Sequence, residues 1–275
     1  MPLMPSPIIT STDAAGKANR AWNRPFLKFG HGGAAGYAQA NTLQSLTLAL
    51  GMGVDVVEFD VRPCRDGLVL LHDDSLEKFH KPNGYASQST VAELRALDPI
   101  PDQPIATLAE ALDLLKGRCL INIDLKAEGY ETAVLEMVGA RGLPGDVIYS
   151  SLIPSSLRRI RQEVPHAMLG LSYPEDRGGS SSKPFLQPVV SSVIAVMRFS
   201  LPFRILSMMA NAQANAVMLY HRIVSRPVIR TVQRAGGKVF TWTVDDPLRM
   251  RELRAQGVNG ITTNYPDLFD SIDGG

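Results

Sequence analysis

From Phe26 onward, short apolar runs alternate with longer stretches in which apolar residues recur at helical spacing. The strand-like runs lie near 26–31, 54–61, 119–125, 146–150, 167–171, 215–219, 237–243 and 259–262. The helix-like stretches include 42–52, 107–116, 130–140, 154–163, 226–235 and 246–256. Eight strands separated by helices predict an α/β fold, the (β/α)8 TIM barrel. An open doubly wound sheet is the alternative, and the number of strands favours the barrel.

A ninth apolar run, 68–71, does not fit this alternation of strands and helices. It follows Arg65-Asp66-Gly67, and Asp-Gly between two β-type runs is a strong hairpin signal. We therefore predict a small hairpin insertion after strand 2, in which 68–71 pairs with 54–61. A turn centred near Asp66 brings His72 close to Asp60.

The chain is predicted to form one barrel domain, 25–275, preceded by an irregular arm, 1–24, that is rich in Pro, Ser, Thr and Ala. The segment 177–213 differs from the rest, because a Gly- and Ser-rich stretch is followed by an apolar run whose only charges are Arg198 and Arg204. We expect a variable pair of helices packed on the barrel; the alternative is an apolar lid or interfacial patch at the substrate entrance. Its length and its prolines argue against a bilayer span.

Composition narrows the functional classes. The 275 residues are 45% hydrophobic and carry a net charge of +1, which disfavours disorder and a nucleic-acid partner. Two isolated cysteines indicate neither a disulfide framework nor a zinc cluster. The N-terminal residues lack a charged segment followed by an apolar core, so a cytoplasmic location is expected, with peripheral membrane contact through 184–210 as a further possibility.

Polar residues with catalytic chemistry follow the predicted strands. His31 follows the first strand and precedes two glycines, which allow a ligand to approach the backbone. Glu58 and Asp60 share one face of the second strand, since side chains alternate along a strand. Two such carboxylates repel each other unless a divalent cation, or a Lys or Arg, neutralises them. His72 also lies at a strand end, after the run 68–71.

The third strand adds a carboxylate and a cation to the same face. Asn122, Asp124 and Lys126 alternate with apolar residues that face the covering helices. Lys126 can form a structural ion pair with Asp124 or hold a phosphate oxygen. Two histidines, three carboxylates and a lysine at the strand ends of one barrel suit phosphodiester cleavage, with a bound metal that polarises the phosphate.

At these residues the chain resembles the glycerophosphodiester phosphodiesterase family. The similar motifs are His31-Gly32-Gly33 with Gln39-Ala40-Asn41-Thr42, Glu58-Phe59-Asp60, Arg65-Asp66-Gly67 with His72-Asp73, Asp124-Leu125-Lys126, Ile148-Tyr149-Ser150-Ser151, Thr241-Trp242-Thr243-Val244-Asp245, and the closing run 257–266. The resemblance covers about 26–268. It implies a divalent cation, Mg²⁺ or Ca²⁺, on Glu58, Asp60 and Asp124. It also implies an acid/base pair, with His31 as base and His72 as acid in the first step or the reverse.

Asn41, Lys126 and Trp242 are further expected to contact the substrate. Trp242 would meet a choline or other head group at the barrel mouth, although core packing is an equal alternative. Two positions depart from the family pattern, where Gly32 replaces the phosphate-binding Arg and Ala40 replaces a Glu. Asp-x-Lys at 124–126 is similar to the sphingomyelinase D and phospholipase D group.

Three functions follow from these observations. The first is metal-dependent hydrolysis of glycerophosphodiesters to glycerol phosphate and an alcohol. The second is phospholipase D-like cleavage of lysophospholipids or intact phospholipids, with 184–210 facing the membrane. The third is a non-catalytic barrel that binds phosphate esters. Retention of His31, His72 and all three carboxylates favours the enzymes over the third.

Overall fold

A computed structural model of the protein describes residues 22–81, 83–97, 103–174 and 187–273. Eight parallel strands form a closed barrel, because the first strand pairs with both the second and the last. This closure confirms the predicted barrel and excludes the open sheet. The barrel strands are β1 (Leu27–Gly30), β2 (Val56–Pro63), β4 (Leu120–Leu125), β5 (Val147–Ser151), β6 (Met168–Tyr173), β7 (Ala216–Tyr220), β8 (Lys238–Trp242) and β9 (Gly260–Thr263).

The remaining strand, β3 (Leu68–Leu70), pairs antiparallel with the end of β2. Val61 pairs with Leu70 and Pro63 with Leu68, so the hairpin predicted from the Asp-Gly turn is confirmed. The pairing ends at Leu70, and the chain then leaves the sheet at the rim where β2 also ends. The hairpin therefore delivers the loop that follows β3 to the carboxyl end of the barrel.

Helices cover the outside of the barrel. They are α1 (Leu43–Gly51), α2 (Val91–Arg95), α3 (Leu108–Leu115), α4 (Glu131–Ala140), α5 (Pro154–Glu163), α6 (Gln187–Ala212), α7 (Arg226–Arg234), α8 (Pro247–Gln256) and α9 (Asp270–Asp273). Side-chain hydrogen bonds cap the N-termini of several helices; Thr107 and Glu110, for example, form a capping box at the start of α3. The six helices predicted from periodicity lie within two residues of these bounds.

Apolar side chains form two layers. The outer layer lies between sheet and helices and includes Phe59 and Ile123, whereas the inner layer fills the barrel and includes Phe29 and Phe240, whose ring centroids are 5.0 Å apart. Trp22, from the end of the predicted arm, joins the inner layer, and the rest of that arm, 1–21, lies outside the described residues. The inner layer fills the lower barrel and leaves polar residues at the upper rim.

The apolar segment differs from the expected pair of helices. Residues 187–212 form one continuous helix, α6, with Pro202 inside it. Leu201, Ile205 and Met209 are buried against the barrel, whereas none of residues 191–200 is buried. The polar stretch before α6, 175–186, lies outside the described residues. The second half of α6 therefore packs as an ordinary barrel helix, whereas the first half is only partly covered, with Ile194 and Met197 against the outer layer.

Candidate active site

Three carboxylates meet on the inner face of the barrel, near the ends of two adjacent strands. Glu58 and Asp60 lie on β2 and Asp124 on β4, and the sheet register pairs Asp60 directly with Asp124. All three are buried, while Phe59 and Ile123 between them point outward into the helix layer. The alternation predicted for both strands is thus present, and it brings three acids into one polar volume.

Lys126 bridges two of these carboxylates. Its Nζ lies 2.9 Å from Asp60 Oδ1 and 2.5 Å from Asp124 Oδ2. Burial disfavours the charged form of Asp60, but the ammonium outweighs it and lowers the pKa of Asp60 to about 2. Burial likewise opposes the charge on Lys126, and the two carboxylates raise its pKa well above the usual range. Lys126 therefore stays protonated and holds Asp60 ionised.

Glu58 lies in a different electrostatic environment. Its Oε2 accepts a hydrogen bond from the Gly32 backbone N–H at 2.8 Å. Burial, and then the neighbouring charge of Asp60, raise the pKa of Glu58 to about 7. Asn122 is its register partner on β4, and Asn122 Oδ1 is buried without a hydrogen-bond partner among the described residues. This corner of the site therefore contains more hydrogen-bond acceptors than donors, and it carries an excess of negative charge.

The chemistry of this corner fits a hard divalent cation such as Mg²⁺ or Ca²⁺, because three buried carboxylates share one ammonium and an amide oxygen is unpaired. As the side chains stand, no three Asp, Glu, His or Cys groups in the described part of the chain are close enough to hold a metal. Lys126 fills the space between Asp60 and Asp124. A cation shared by those two acids therefore requires the ammonium to move.

His31 is held at the end of β1 by an amide. Asn264 Nδ2 donates to Asp245 Oδ2 at 2.6 Å, so Asn264 Oδ1 is the atom turned toward His31 Nδ1, at 2.7 Å. This orientation places the proton of a neutral imidazole on Nδ1 and leaves Nε2 free to accept another. Burial lowers the pKa of His31, but the negative charges of Glu58 and Asp60 outweigh it, and the net shift is upward.

His72 approaches from the loop after β3. Its Nδ1 lies 2.6 Å from Asp73 Oδ1, and Asp73 Oδ2 accepts a bond from Lys78 Nζ at 2.9 Å. Burial opposes the charge on Asp73, but these two contacts outweigh it and lower the pKa of Asp73. Arg62 Nε donates to the His72 carbonyl oxygen at 2.7 Å and ties the loop to β2. The His72 side chain is 58% exposed, so its free ring nitrogen is accessible to a ligand.

A cavity of about 190 Å³ joins these groups. Its wall contains both predicted histidines and one carboxylate, together with cationic and amide side chains from three loops: His31, Asn41, Asp60, His72, Lys78 and Gln103. The two imidazoles therefore face one volume at the carboxyl rim of the barrel, the position of catalytic residues in this fold.

Two of the predicted substrate contacts have protein partners. Asn41 Nδ2 donates to Asp60 Oδ2 at 2.8 Å, and Asn41 Oδ1 accepts from the Asp60 backbone N–H at 3.0 Å. Asn41 thus orients Asp60 while also lining the cavity. Trp242 Nε1 donates to the Met218 carbonyl oxygen at 2.8 Å, and its ring packs on the inner layer beside Tyr220. The arrangement of Trp242 matches the core-packing alternative.

The two departures from the family pattern are neighbours in space. Gly32 has φ +51°, and a Cβ placed on it would lie 2.8 Å from the Ala40 Cβ. A side chain at position 32 therefore meets position 40 directly. The two departures therefore lie side by side, and Ala40 lines the cavity.

Several functional side chains were not identified from the sequence. Asn264 orients His31 from 233 residues away along the chain, and Asp245 in turn orients Asn264. The only signal for these two residues in the sequence was that they belong to the closing motifs. Ser150 Oγ donates to Asp124 Oδ1 at 2.5 Å; the motif 148–151 contains Ser150, but only the register of β4 with β5 places it beside Asp124. Lys78 follows no motif.

Comparison with known proteins identifies the family to which this chain belongs. The glycerophosphoryl diester phosphodiesterase family matches residues 31–268. A glycerophosphodiester phosphodiesterase of Bacillus subtilis is 25% identical over an alignment of 294 positions, gaps included, which covers 98% of this chain and 93% of the relative. Another, from Caldanaerobacter subterraneus, is 25% identical over 90% of this chain and 97% of its own.

Solved structures share the fold. An Oleispira antarctica phosphodiesterase, solved in complex with the product sn-glycerol-3-phosphate, superposes with a TM-score of 0.72 at 22% identity over 90% of this chain and 97% of its own. The glycerophosphodiester phosphodiesterase of Thermotoga maritima gives 0.70 at 23% identity, over 90% and 98%. The family match begins at His31, directly after β1, and its range includes the carboxylate cluster, His72 and the other seven barrel strands. The chain belongs to the glycerophosphoryl diester phosphodiesterase family and is a phosphoric diester hydrolase.

Proposed function

We propose that this enzyme hydrolyses glycerophosphodiesters to glycerol phosphate and an alcohol, with His31 and His72 as the acid/base pair and a divalent cation as cofactor. One observation carries the proposal. Two imidazoles, each oriented through Nδ1 by a side-chain oxygen, face the same cavity beside a buried carboxylate cluster. An acid/base pair needs such fixed orientation, because each ring must transfer its proton from a known atom.

In the first step, His31 Nε2 takes the proton of a neighbouring glycerol hydroxyl while the hydroxyl oxygen bonds to phosphorus. The bond from phosphorus to the alcohol oxygen breaks, and His72 gives that oxygen a proton. Water then opens the cyclic phosphate with the two roles exchanged. The carboxylates of Glu58 and Asp60 stabilise the imidazolium that His31 becomes, and this stabilisation raises the pKa of His31.

Asp73 supports the complementary role of His72. Its carboxylate lies against His72 Nδ1 and stabilises the protonated ring that must donate to the leaving oxygen. Glu58, Asp60 and Asp124 would hold the cation, which would supply charge stabilisation at a phosphoryl oxygen. If Lys126 gave up its contacts with Asp60 and Asp124 to a bound cation, its ammonium would be available as a point charge for the phosphate.

Lys78 is the best-placed substitute for the family's phosphate-binding Arg. It lines the cavity beside His72, where position 32 is glycine. Arg62, another basic side chain at this rim, instead donates from its Nε to the His72 carbonyl oxygen. Lys78→Met should therefore raise KM for a soluble phosphodiester with a smaller effect on kcat.

A substrate panel tests the proposal. Glycerophosphocholine, glycerophosphoethanolamine, lysophosphatidylcholine and sphingomyelin are each assayed with Mg²⁺, Ca²⁺ or EDTA. We expect metal-dependent release of glycerol phosphate from the first two, and a loss of about a hundredfold or more in His31→Ala and His72→Ala. His166→Ala, at an exposed position outside the cavity, is the matched control.

Three outcomes would contradict the proposal. Activity that survives EDTA and both alanine substitutions removes the cation and the acid/base pair. Turnover of lysophosphatidylcholine or sphingomyelin alone identifies the phospholipase D-like alternative. Metal binding without hydrolysis of any substrate identifies a non-catalytic barrel.

A further inference from the structure

Helix α6 exposes a continuous apolar surface. We define its outer stripe as Val196, Phe199, Phe203 and Leu206, whose exposed fractions are 68%, 78%, 81% and 42%. At about 100° per residue these four positions fall within an arc of roughly 80°. The buried positions Leu201, Ile205 and Met209 fall on the opposite side. The outer stripe therefore faces directly away from the barrel, and Val193, 51% exposed, extends the apolar surface at its margin.

The first half of α6 extends beyond the barrel on the side where the cavity opens. In this fold, a strand ends at the catalytic rim and the following helix returns from that rim to the opposite end. The 26 residues of α6 span about 39 Å, whereas the nine residues of α7 span about 14 Å. The second half of α6 is buried on the barrel, so the excess length lies at the rim.

The part of the chain that contains α6 and α7 is positively charged. No Asp or Glu occurs between Asp176 and Asp245. The same interval contains nine basic residues: Arg177, Lys183, Arg198, Arg204, Arg222, Arg226, Arg230, Arg234 and Lys238. Arg226, Arg230 and Arg234 repeat every four residues along one exposed face of α7, which packs beside α6. An apolar stripe beside an arginine row is the pattern of a surface that binds anionic lipid.

Two other readings of this surface fit the observations less well. The stretch Ser191–Ala212 is long and apolar enough to cross a membrane, with a mean hydropathy of 1.5, so the expectation that the segment is too short was wrong. A span, however, would detach Leu201, Ile205 and Met209 from the barrel and place two arginines in hydrocarbon. Pairing with a second copy of this chain would bring two arginine rows together without acidic partners.

We propose that the outer stripe and the α7 arginine row form a docking face for an anionic phospholipid bilayer, with α6 lying in the plane of the interface. The phenylalanines enter the boundary between head groups and acyl chains, and the arginines contact the lipid phosphates. Docking then holds the catalytic cavity near the lipid surface.

Vesicle co-sedimentation tests this face directly. The full chain is mixed with phosphatidylcholine vesicles, or with vesicles that also contain phosphatidylglycerol, at about 0.1 M and about 0.5 M salt. We expect binding only with phosphatidylglycerol, weakened at high salt. Phe199→Ser/Phe203→Ser and Arg226→Glu/Arg230→Glu should each lower the partition coefficient by about tenfold or more.

The matched controls lie on another exposed helix, α8. Leu248→Ser removes a side chain that is 65% exposed, and Arg251→Glu reverses an exposed charge, so both should leave vesicle binding unchanged. All variants should keep the wild-type Tm and the wild-type rate on soluble glycerophosphocholine, since no altered residue lines the cavity.

Three results would overturn the proposal. The first is that the wild-type chain does not bind phosphatidylglycerol vesicles. The second is that it binds them and the α6 and α7 variants bind equally well. The third is concentration-dependent dimerisation in sedimentation velocity that Phe199→Ser/Phe203→Ser abolishes, which would assign the outer stripe to a second copy of this chain.

Discussion

Replacing Lys126 with methionine removes the ammonium that lies between Asp60 and Asp124 and keeps most of the aliphatic stem. All three side chains are largely buried, at 13%, 7% and 10% exposed. Removing one partner of a buried ion pair leaves uncompensated charge and costs about 3–5 kcal/mol. For a chain of 275 residues, that corresponds to a fall of roughly 5–9 °C in Tm.

The assay is thermal unfolding in EDTA, followed by far-UV circular dichroism. Lys78→Met is the matched control, because its ion pair with Asp73 is exposed and should contribute about 1 kcal/mol or less. The second arm adds Mg²⁺ or Ca²⁺ to Lys126→Met. A cation at about a hundred times its Kd restores about 2.7 kcal/mol, because it neutralises the same two acids.

Two results would refute this reasoning. A Tm fall no larger than that of Lys78→Met would show that the buried carboxylates do not depend on the ammonium. A full Tm fall that neither cation reverses would show that Asp60 and Asp124 do not form part of a cation site.

Three further predictions concern the rest of the site. Asn264→Leu removes the acceptor of His31 Nδ1 and should lower kcat about tenfold or more with little change in KM, whereas Asn264→Asp keeps an acceptor and should retain more activity. Gly32→Arg alone should lower activity, because its Cβ meets the Ala40 Cβ at 2.8 Å at a positive φ. In EDTA, Glu58→Gln should be more stable than wild type above neutral pH by about 3 kcal/mol, and the difference should vanish near pH 4.5, measured by urea unfolding.

Glu58→Gln should gain stability over wild type as pH rises, because the pKa of Glu58 is raised in the folded state. Ionising Glu58 therefore lowers the free energy of unfolding of the wild type as pH rises from about 4.5 to about 7. Glutamine removes that cost and still accepts the Gly32 N–H. Glu131→Gln is the control, since this buried glutamate already accepts bonds from Ser156 Oγ and Gly129 N–H. A gain for Glu58→Gln that does not depend on pH would contradict the assignment.

The local parts of the fold were predictable because each rests on a short-range rule. Strand alternation placed Glu58 and Asp60 on one face, and the Asp-Gly turn identified the β2–β3 hairpin. In α6 the local rule failed, because Pro202 indicated an interruption while the helix continues through it. Burial of Leu201 and Ile205 on the barrel stabilises the turns around the proline, and no sequence pattern displays that packing.

The site was predictable only as far as strand register could be inferred. An ion pair of Lys126 with Asp124 follows from one strand, but its second contact, with Asp60, depends on the pairing of β2 with β4. The contact of Asn264 with His31 joins the last strand to the first and requires barrel closure. Such contacts depend on topology, which periodicity alone does not encode.

We propose that Glu58, Asp60 and Asp124 bind a divalent cation beside His31. Anomalous diffraction from crystals soaked in Mn²⁺ locates such a cation. We expect one strong peak bounded by the three carboxylates, with the Lys126 ammonium displaced from Asp60 and Asp124. A strong Mn²⁺ peak elsewhere on the chain, with Lys126 still bridging the two aspartates, would contradict it.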